Sequence, residues 1–191
     1  MAVTWGAVNR PKQGQSVSGD AYLVQEGADG RLLVAVIDGL GGGQEAARAA
    51  QLAQRTILEH GGWELQDLVH EAHRALHQTR GAVIGLLRLD TVACRASYVG
   101  VGNVGVQVYS RLPIKPISKS GILGFRLPAL LELRYTYEPG DVFVLYSDGV
   151  SARFGQDSAL DIRQQPQAFV EQVLAHYGKT VDDATVVALR T

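Results

Sequence analysis

Apolar residues along this chain follow two periods, and the switches between them divide it into blocks. Residues 2–8, 21–24 and 32–37 read as strands, and the last, Leu32-Leu-Val-Ala-Val-Ile37, is apolar throughout, as a strand covered on both faces is. Gly27-Ala-Asp-Gly-Arg31 reads as the hairpin turn between the second and third, because Asp-Gly accepts positive φ. The period then lengthens. Ala46, Ala49, Ala50, Ala53 and Ile57 recur at helical spacing over residues 44–60, on a face of alanine that can approach a sheet closely, and Gly61-Gly62 stops the helix. Leu65, Leu68, Val69, Ala72 and Leu76 draw a second helical stripe over residues 64–80, ended by Gly81. Strand-like runs return at 82–89, 91–101, 104–110, 131–137 and 142–146, with Glu138-Pro-Gly-Asp141 a turn by composition. Pro166 opens a third helix carrying Phe169, Val170, Val173, Leu174 and Tyr177, capped by Gly178, and residues 184–189 form a closing strand.

Short connections between consecutive strands predict antiparallel pairing, hence an α+β fold with helices covering sheets. The 191 residues suit one domain, 1–191, since no stretch rich in Pro, Ser or charge separates two units and no repeat is visible. Hydrophobic residues make up 46% and charged residues 19%, which argues against disorder. The balance of 18 basic and 19 acidic side chains leaves −1, so no basic field draws nucleic acid. No apolar run nears the roughly 18 residues of a membrane span, and the first residues lack a basic stretch followed by an apolar core. Cys94 is the single cysteine, which rules out an internal disulfide. Lying in an apolar, strand-like run, it reads as a packing residue. The expectation is a cytoplasmic monomer that binds neither nucleic acid nor membrane.

The chemistry lies in the acids. Asp38-Gly39 ends a buried strand and opens the run Leu40-Gly-Gly-Gly43 before a helix, and Asp148-Gly149 repeats the arrangement after residues 142–146 and Ser147. Asp20 comes just before one strand and Asp182-Asp183 just before another. A carboxylate at the end of an apolar strand is costly unless something pairs with it, and no Arg or Lys is adjacent in sequence. Any one of these is ordinarily a turn aspartate. Asp38 and Asp148 together, each closing an apolar strand, point instead to a hard cation held by oxygen ligands, Mg²⁺, Mn²⁺ or Ca²⁺ rather than zinc.

Four segments stand in a particular order: Ser18-Gly-Asp20, Val36-Ile-Asp-Gly-Leu-Gly-Gly-Gly43, Glu138-Pro-Gly-Asp-Val-Phe-Val-Leu-Tyr-Ser-Asp-Gly-Val150 and Asp182-Asp-Ala-Thr-Val-Val187. In this the chain resembles the metal-dependent PPM family of Ser/Thr protein phosphatases, in its small bacterial SpoIIE-like branch. Arg10-Pro-Lys, Thr79-Arg-Gly-Ala82, Gly100-Val-Gly-Asn103 and Gly121-Ile-Leu-Gly124 carry the likeness toward the stand-alone members. The resemblance covers nearly the whole chain. It implies an α-β-β-α sandwich, two antiparallel sheets flanked by helix pairs, with two Mn²⁺ or Mg²⁺ ions at one edge. Asp38 would bridge the two ions, Asp148 and Asp182 would complete the first, and the Gly39 carbonyl would hold the second with Asp20 close to it. It further implies hydrolysis of a phosphoserine or phosphothreonine by a hydroxide shared between the ions. The phosphorylated partner would be a STAS-domain protein of a stressosome or partner-switching module.

Three departures from the family pattern bear on mechanism. Leu40 stands where many members have a histidine proposed to protonate the leaving group. The stretch Gln13-Gly-Gln-Ser-Val-Ser-Gly19 lacks the phosphate-clasping arginine of the eukaryotic members, with Arg10 and Lys12 as substitutes. Asn103 replaces an aspartate that holds a third metal in some relatives, so that site is expected to be weak or absent. The basic loop 111–119, with Lys115 and Lys119, is either a solubilising loop or a flap that contacts the phosphoprotein.

Other signals weigh less. Gly100-Val-Gly-Asn-Val-Gly105 fits a dinucleotide pattern, but Val106-Gln-Val-Tyr109 after it alternates like a strand, so a hairpin turn is expected. The Gly39–Gly43 run does sit between strand and helix. This keeps open an alternative: a catalytically weak module that binds a phosphoprotein or a nucleotide. His70, His73 and His77 share one side of the second helix with no further Cys or His placed to complete a zinc site, and read as a solvated face. His60 and His176 sit near helix ends, where they suit the dipole.

Overall fold

The computed structural model describes residues 3–27 and 29–191. The expectations that touch Met1, Ala2 and Ala28 lie outside the described residues. Among the described residues, nine strands and three α-helices follow the anticipated order: β1 (Thr4–Arg10), β2 (Asp20–Glu26), β3 (Arg31–Gly39), α1 (Gln44–Glu59), α2 (Leu65–Ala75), β4 (Ala82–Asp90), β5 (Arg95–Val101), β6 (Gly105–Tyr109), β7 (Leu133–Thr136), β8 (Val142–Tyr146), α3 (Pro166–Tyr177) and β9 (Ala184–Arg190). They build two antiparallel sheets, one ordered β1-β9-β8-β6 and the other β2-β3-β4-β5-β7.

The period-2 alternation explains the layers. Along β3, Val34 and Val36 face the second sheet, where Phe143, Leu145, Val187 and Leu189 meet them. Leu33, Ala35 and Ile37 face α1 and α2. The alanine stripe does what its size allows: Ala46, Ala49, Ala50 and Ala53 are wholly buried against the sheet. On the opposite face, Phe169, Val170 and Val173 of α3 pack on Val144, Val186 and Ala188. The result is an α-β-β-α sandwich.

Several expectations need correction. The outer layer on the α3 side is not a helix pair: residues before α3 form only a short 3₁₀ turn, Ala152–Gln156. The second helix ends at Ala75, well short of residue 80: beyond it the chain continues in turns whose N–H groups reach three residues back, His77 N to Arg74 O and Thr79 N to Leu76 O. Cys94 lies in the turn before β5 with φ 50°, half-buried against the inter-sheet core, rather than within a strand. The Gly100–Gly105 segment is not a hairpin: β5 and β6 belong to different sheets, and Gly102, at φ 97°, carries the chain from one to the other. The strand after it does exclude a dinucleotide fingerprint there. Among the described residues, no helix is long and apolar enough to cross a membrane.

Candidate metal centre

All the carboxylates singled out in the sequence come to one edge of the sandwich. The β2–β3 register pairs Asp20 directly with Asp38. Both continue the even-numbered face of β3, so they point into the gap between the sheets. Asp148 follows β8, and Asp182 and Asp183 precede β9, on the opposite sheet. Ser147 ties the two sheets together here. Its hydroxyl donates to Asp20 Oδ2 at 2.6 Å and accepts from Thr185 N at 2.9 Å, and Ser147 and Thr185 are fully buried.

The backbones are close enough that glycine is required. A β-carbon on Gly39 would collide with Ala46 O of α1 and come within 2.9 Å of Gly19 O, and one on Gly149 would collide with Asp183 O. Gly39 N donates to Gly19 O at 3.0 Å. The sharp turn at each Asp-Gly therefore reflects close approach of strand ends.

Electrostatics make Asp38 the centre of the cluster. Burial, then the charges of Asp20, Asp148, Asp182 and Asp183, push its carboxyl up to about 8 from the ordinary 3.8. Among the described residues nothing donates a hydrogen bond to it. Asp20 rises to about 6, mainly by burial, against the lowering effect of the Ser147 and Thr185 hydroxyls; the Thr185 hydroxyl lies beside the carboxyl but completes no hydrogen bond. The neighbouring acids each find a donor. Asp148 Oδ2 accepts from Asn103 Nδ2 at 2.7 Å, Asp183 Oδ1 from Lys12 N at 2.9 Å, and Asp182 Oδ1 from Asp183 N at 3.0 Å. Among the described residues, no three acid or histidine side chains have closed on one point as ion ligands do. None of the three ion pairs among the described residues involves a member of the cluster. The donor set is all oxygen, crowded and short of cations, which fits a hard divalent ion.

The other candidates separate. Lys12 lies at the cluster, its ammonium against Gly42. Arg10 turns its guanidinium to Lys179 O at 2.6 Å, at the end of α3. Lys119 stands at the rim: its backbone pairs with Gly100 and Gly102, beside the turn that carries Asn103. Lys115 is farther off, its carbonyl held by Tyr135, which pairs with Ala96 toward the other end of β5. Leu40 offers no proton. Its N–H donates to Gly81 O at 3.0 Å, and its side chain packs toward Gly81. The histidine face is not merely solvated: His73 Nδ1 accepts from Gly124 N at 3.0 Å and His77 Nδ1 meets Gly124 O at 3.2 Å, fastening the loop that ends at Gly124 to α2. Two neighbours carried no assignment in the sequence: Lys179 donates from Nζ to Asp148 O at 2.6 Å, and Ser147 bridges the sheets. Asn103, expected only as a weakened third-metal position, bonds Asp148. Of the two unassigned residues only Ser147 carried a signal, as a small polar residue between an apolar strand and an acid.

A two-sheet sandwich with acids gathered where its strands end is the architecture of a PP2C-like phosphatase domain, and solved structures agree. A chain from work on the bacterial stressosome as a modular system adapted to control secondary messenger signaling superposes with TM-score 0.94 at 34% identity over 100% of both chains. RsbX in complex with magnesium superposes with TM-score 0.86 at 23% identity, over 98% of this chain and 94% of that one. The family described as Stage II sporulation protein E (SpoIIE) matches residues 28–191, and the chain belongs to it. Among curated proteins, the phosphoserine phosphatase RsbX of Bacillus subtilis (strain 168) is 26% identical over 142 residues, 73% of this chain and 71% of that protein.

Proposed function

We propose that this chain hydrolyses phosphoserine or phosphothreonine on a STAS-domain protein of a stressosome or partner-switching module, in the cytoplasm. The observation that carries the reading is Asp38, a half-buried acid facing four others at the sheet edge of a SpoIIE-family domain. The likeness to RsbX and to a stressosome-associated chain supports the choice of partner.

Asp38, Asp148 and Asp182, with Asp20 and the Gly39 carbonyl, would hold two Mn²⁺ or Mg²⁺ ions. When bound, the ions supply hydroxide at neutral pH and neutralise charge on the phosphoryl oxygens. The chain's own residues do the rest. Ser147 fixes Asp20 by donating to Oδ2, Asn103 orients Asp148, and Lys12 holds Asp183 through its backbone N–H with its ammonium over Gly42. With Leu40 in place of an acid, no protein group beside Asp38 is built to protonate the departing alkoxide. Specificity falls to the rim, where Lys119 is closer to the cluster than Lys115.

The test is to incubate the chain with phosphorylated STAS-domain proteins and with unrelated phosphoproteins, and to follow dephosphorylation by mass. The STAS proteins are expected to be processed faster, and Lys119→Ala to raise KM for them more than Lys115→Ala does. Equal rates on unrelated phosphoproteins would refute the partner and leave the phosphatase reading standing.

A further inference from the structure

Arg80 has no part in the reading above. It lies between α2 and β4, in the segment Thr79-Arg-Gly-Ala82, on a turn held at several points. The Thr79 hydroxyl donates to Leu76 O at 2.8 Å and accepts from Gly81 N at 3.0 Å. Gly81 O accepts the Leu40 N–H at 3.0 Å, and Ala82 pairs with Gly39. The turn is therefore fastened to the two residues that follow Asp38.

From this turn the guanidinium reaches over the glycine run. Arg80 Nη1 lies 2.8 Å from where a β-carbon on Gly41 would stand. The Lys12 ammonium occupies the matching place on Gly42. Any side chain at 41 or 42 would displace one of these cations, so the glycines make room for two positive charges as well as for the turn at Gly41, φ 93°. Neither cation belongs to an ion pair or donates a side-chain hydrogen bond among the described residues. Two uncommitted cations thus stand over a bare backbone within three or four residues of Asp38. A planar guanidinium presents two parallel N–H donors to a pair of phosphoryl oxygens, and an ammonium adds a point charge.

We infer that Arg80, together with Lys12, grips the substrate's phosphoryl oxygens over the Gly41-Gly42 backbone. The inference rests on the phosphatase reading and adds Arg80 as a substrate-binding residue. Its test uses Arg80→Ala and Arg80→Lys in the full chain, with p-nitrophenyl phosphate as substrate and inorganic phosphate as competitive inhibitor. Phosphate binding to the Mn²⁺-loaded protein is measured in parallel by calorimetry. Arg80→Ala is expected to weaken phosphate binding and lower kcat/KM by about 10- to 100-fold, with the Mn²⁺ half-saturation and thermal midpoint unchanged. Arg80→Lys should fall between, and added guanidinium ion should rescue Arg80→Ala alone. Phosphate binding by Arg80→Ala equal to wild type, or a loss traced to weaker Mn²⁺ binding, would overturn the inference. If the wild-type chain failed to hydrolyse the ester, the phosphatase reading would fall, and the calorimetric comparison would still decide on Arg80.

Discussion

Replacing Asp38 by asparagine isolates the charge at the heart of the acid cluster. Its carboxyl sits at about 8 in the folded chain against 3.8 ordinarily. Between those values the folded chain keeps a proton that the unfolded chain has released, so metal-free stability falls as pH rises, by about 1.4 kcal/mol per pH unit. Over the 3.7 units from 3.8 to pH 7.5, that amounts to an upper bound of about 5 kcal/mol. Relaxation and water entry around the carboxylate take up part of this, leaving about 2 kcal/mol or more for Asp38→Asn to recover. For a chain of 191 residues, that is a rise of about 4–8 °C in thermal midpoint. The assay is thermal and urea unfolding in chelator from pH 5 to 8. The wild-type chain should gain stability as pH falls, and Asp38→Asn should be the more stable at pH 7.5, with a flatter profile. Asp20, at about 6, should leave a residual slope below that pH. Adding Mn²⁺ should stabilise the wild type more than the variant. Parallel pH profiles, or a variant no more stable than wild type at pH 7.5 in chelator, would mean that the Asp38 charge does not strain the metal-free fold.

Two further outcomes follow from the same geometry. Ser147→Ala removes the donor to Asp20 and leaves the buried Thr185 N–H without its partner, so unfolding free energy should drop by about 1–3 kcal/mol in urea titrations, with Asp20 rising further. With Leu40 beside Asp38 and no acid in its place, the rate should depend steeply on the leaving group, aryl phosphates far outpacing alkyl phosphoserine; a histidine variant that slows alkyl esters alone would contradict this.

The parts of the site that were legible in sequence are those whose signal is local. An apolar strand that runs into Asp-Gly announces an acid at the edge of the core, and it does so twice, at the half-buried Asp38 and Asp148. The alanine stripe of α1 announced close packing, and Ala46 indeed sits where Gly39 admits it. What stayed hidden depends on partners distant in the chain. A Gly-x-Gly turn looks the same whether it closes a hairpin or crosses between sheets, and the β5–β6 turn does the second. The polar residues after Leu76 keep helical composition, yet their N–H groups reach three residues back in turns and the helix is already over. Arg80 gave no sign of its place because what it covers, Gly41, lies far upstream. Lys115 and Lys119 are near neighbours in sequence, but the bridges of Lys119 to Gly100 and Gly102 hold one at the rim while Tyr135 draws the other along the sheet.

If the Asp38 cluster holds the ions that drive phosphate release, Mn²⁺-dependent release of phosphate from a generic phosphate ester separates the wild-type chain from Asp38→Ala, each shown to be folded by circular dichroism. Metal-dependent turnover is expected of the wild type, with a loss of at least about a hundredfold in the variant. Full activity in a folded Asp38→Ala chain would show that the ions, if bound, sit elsewhere.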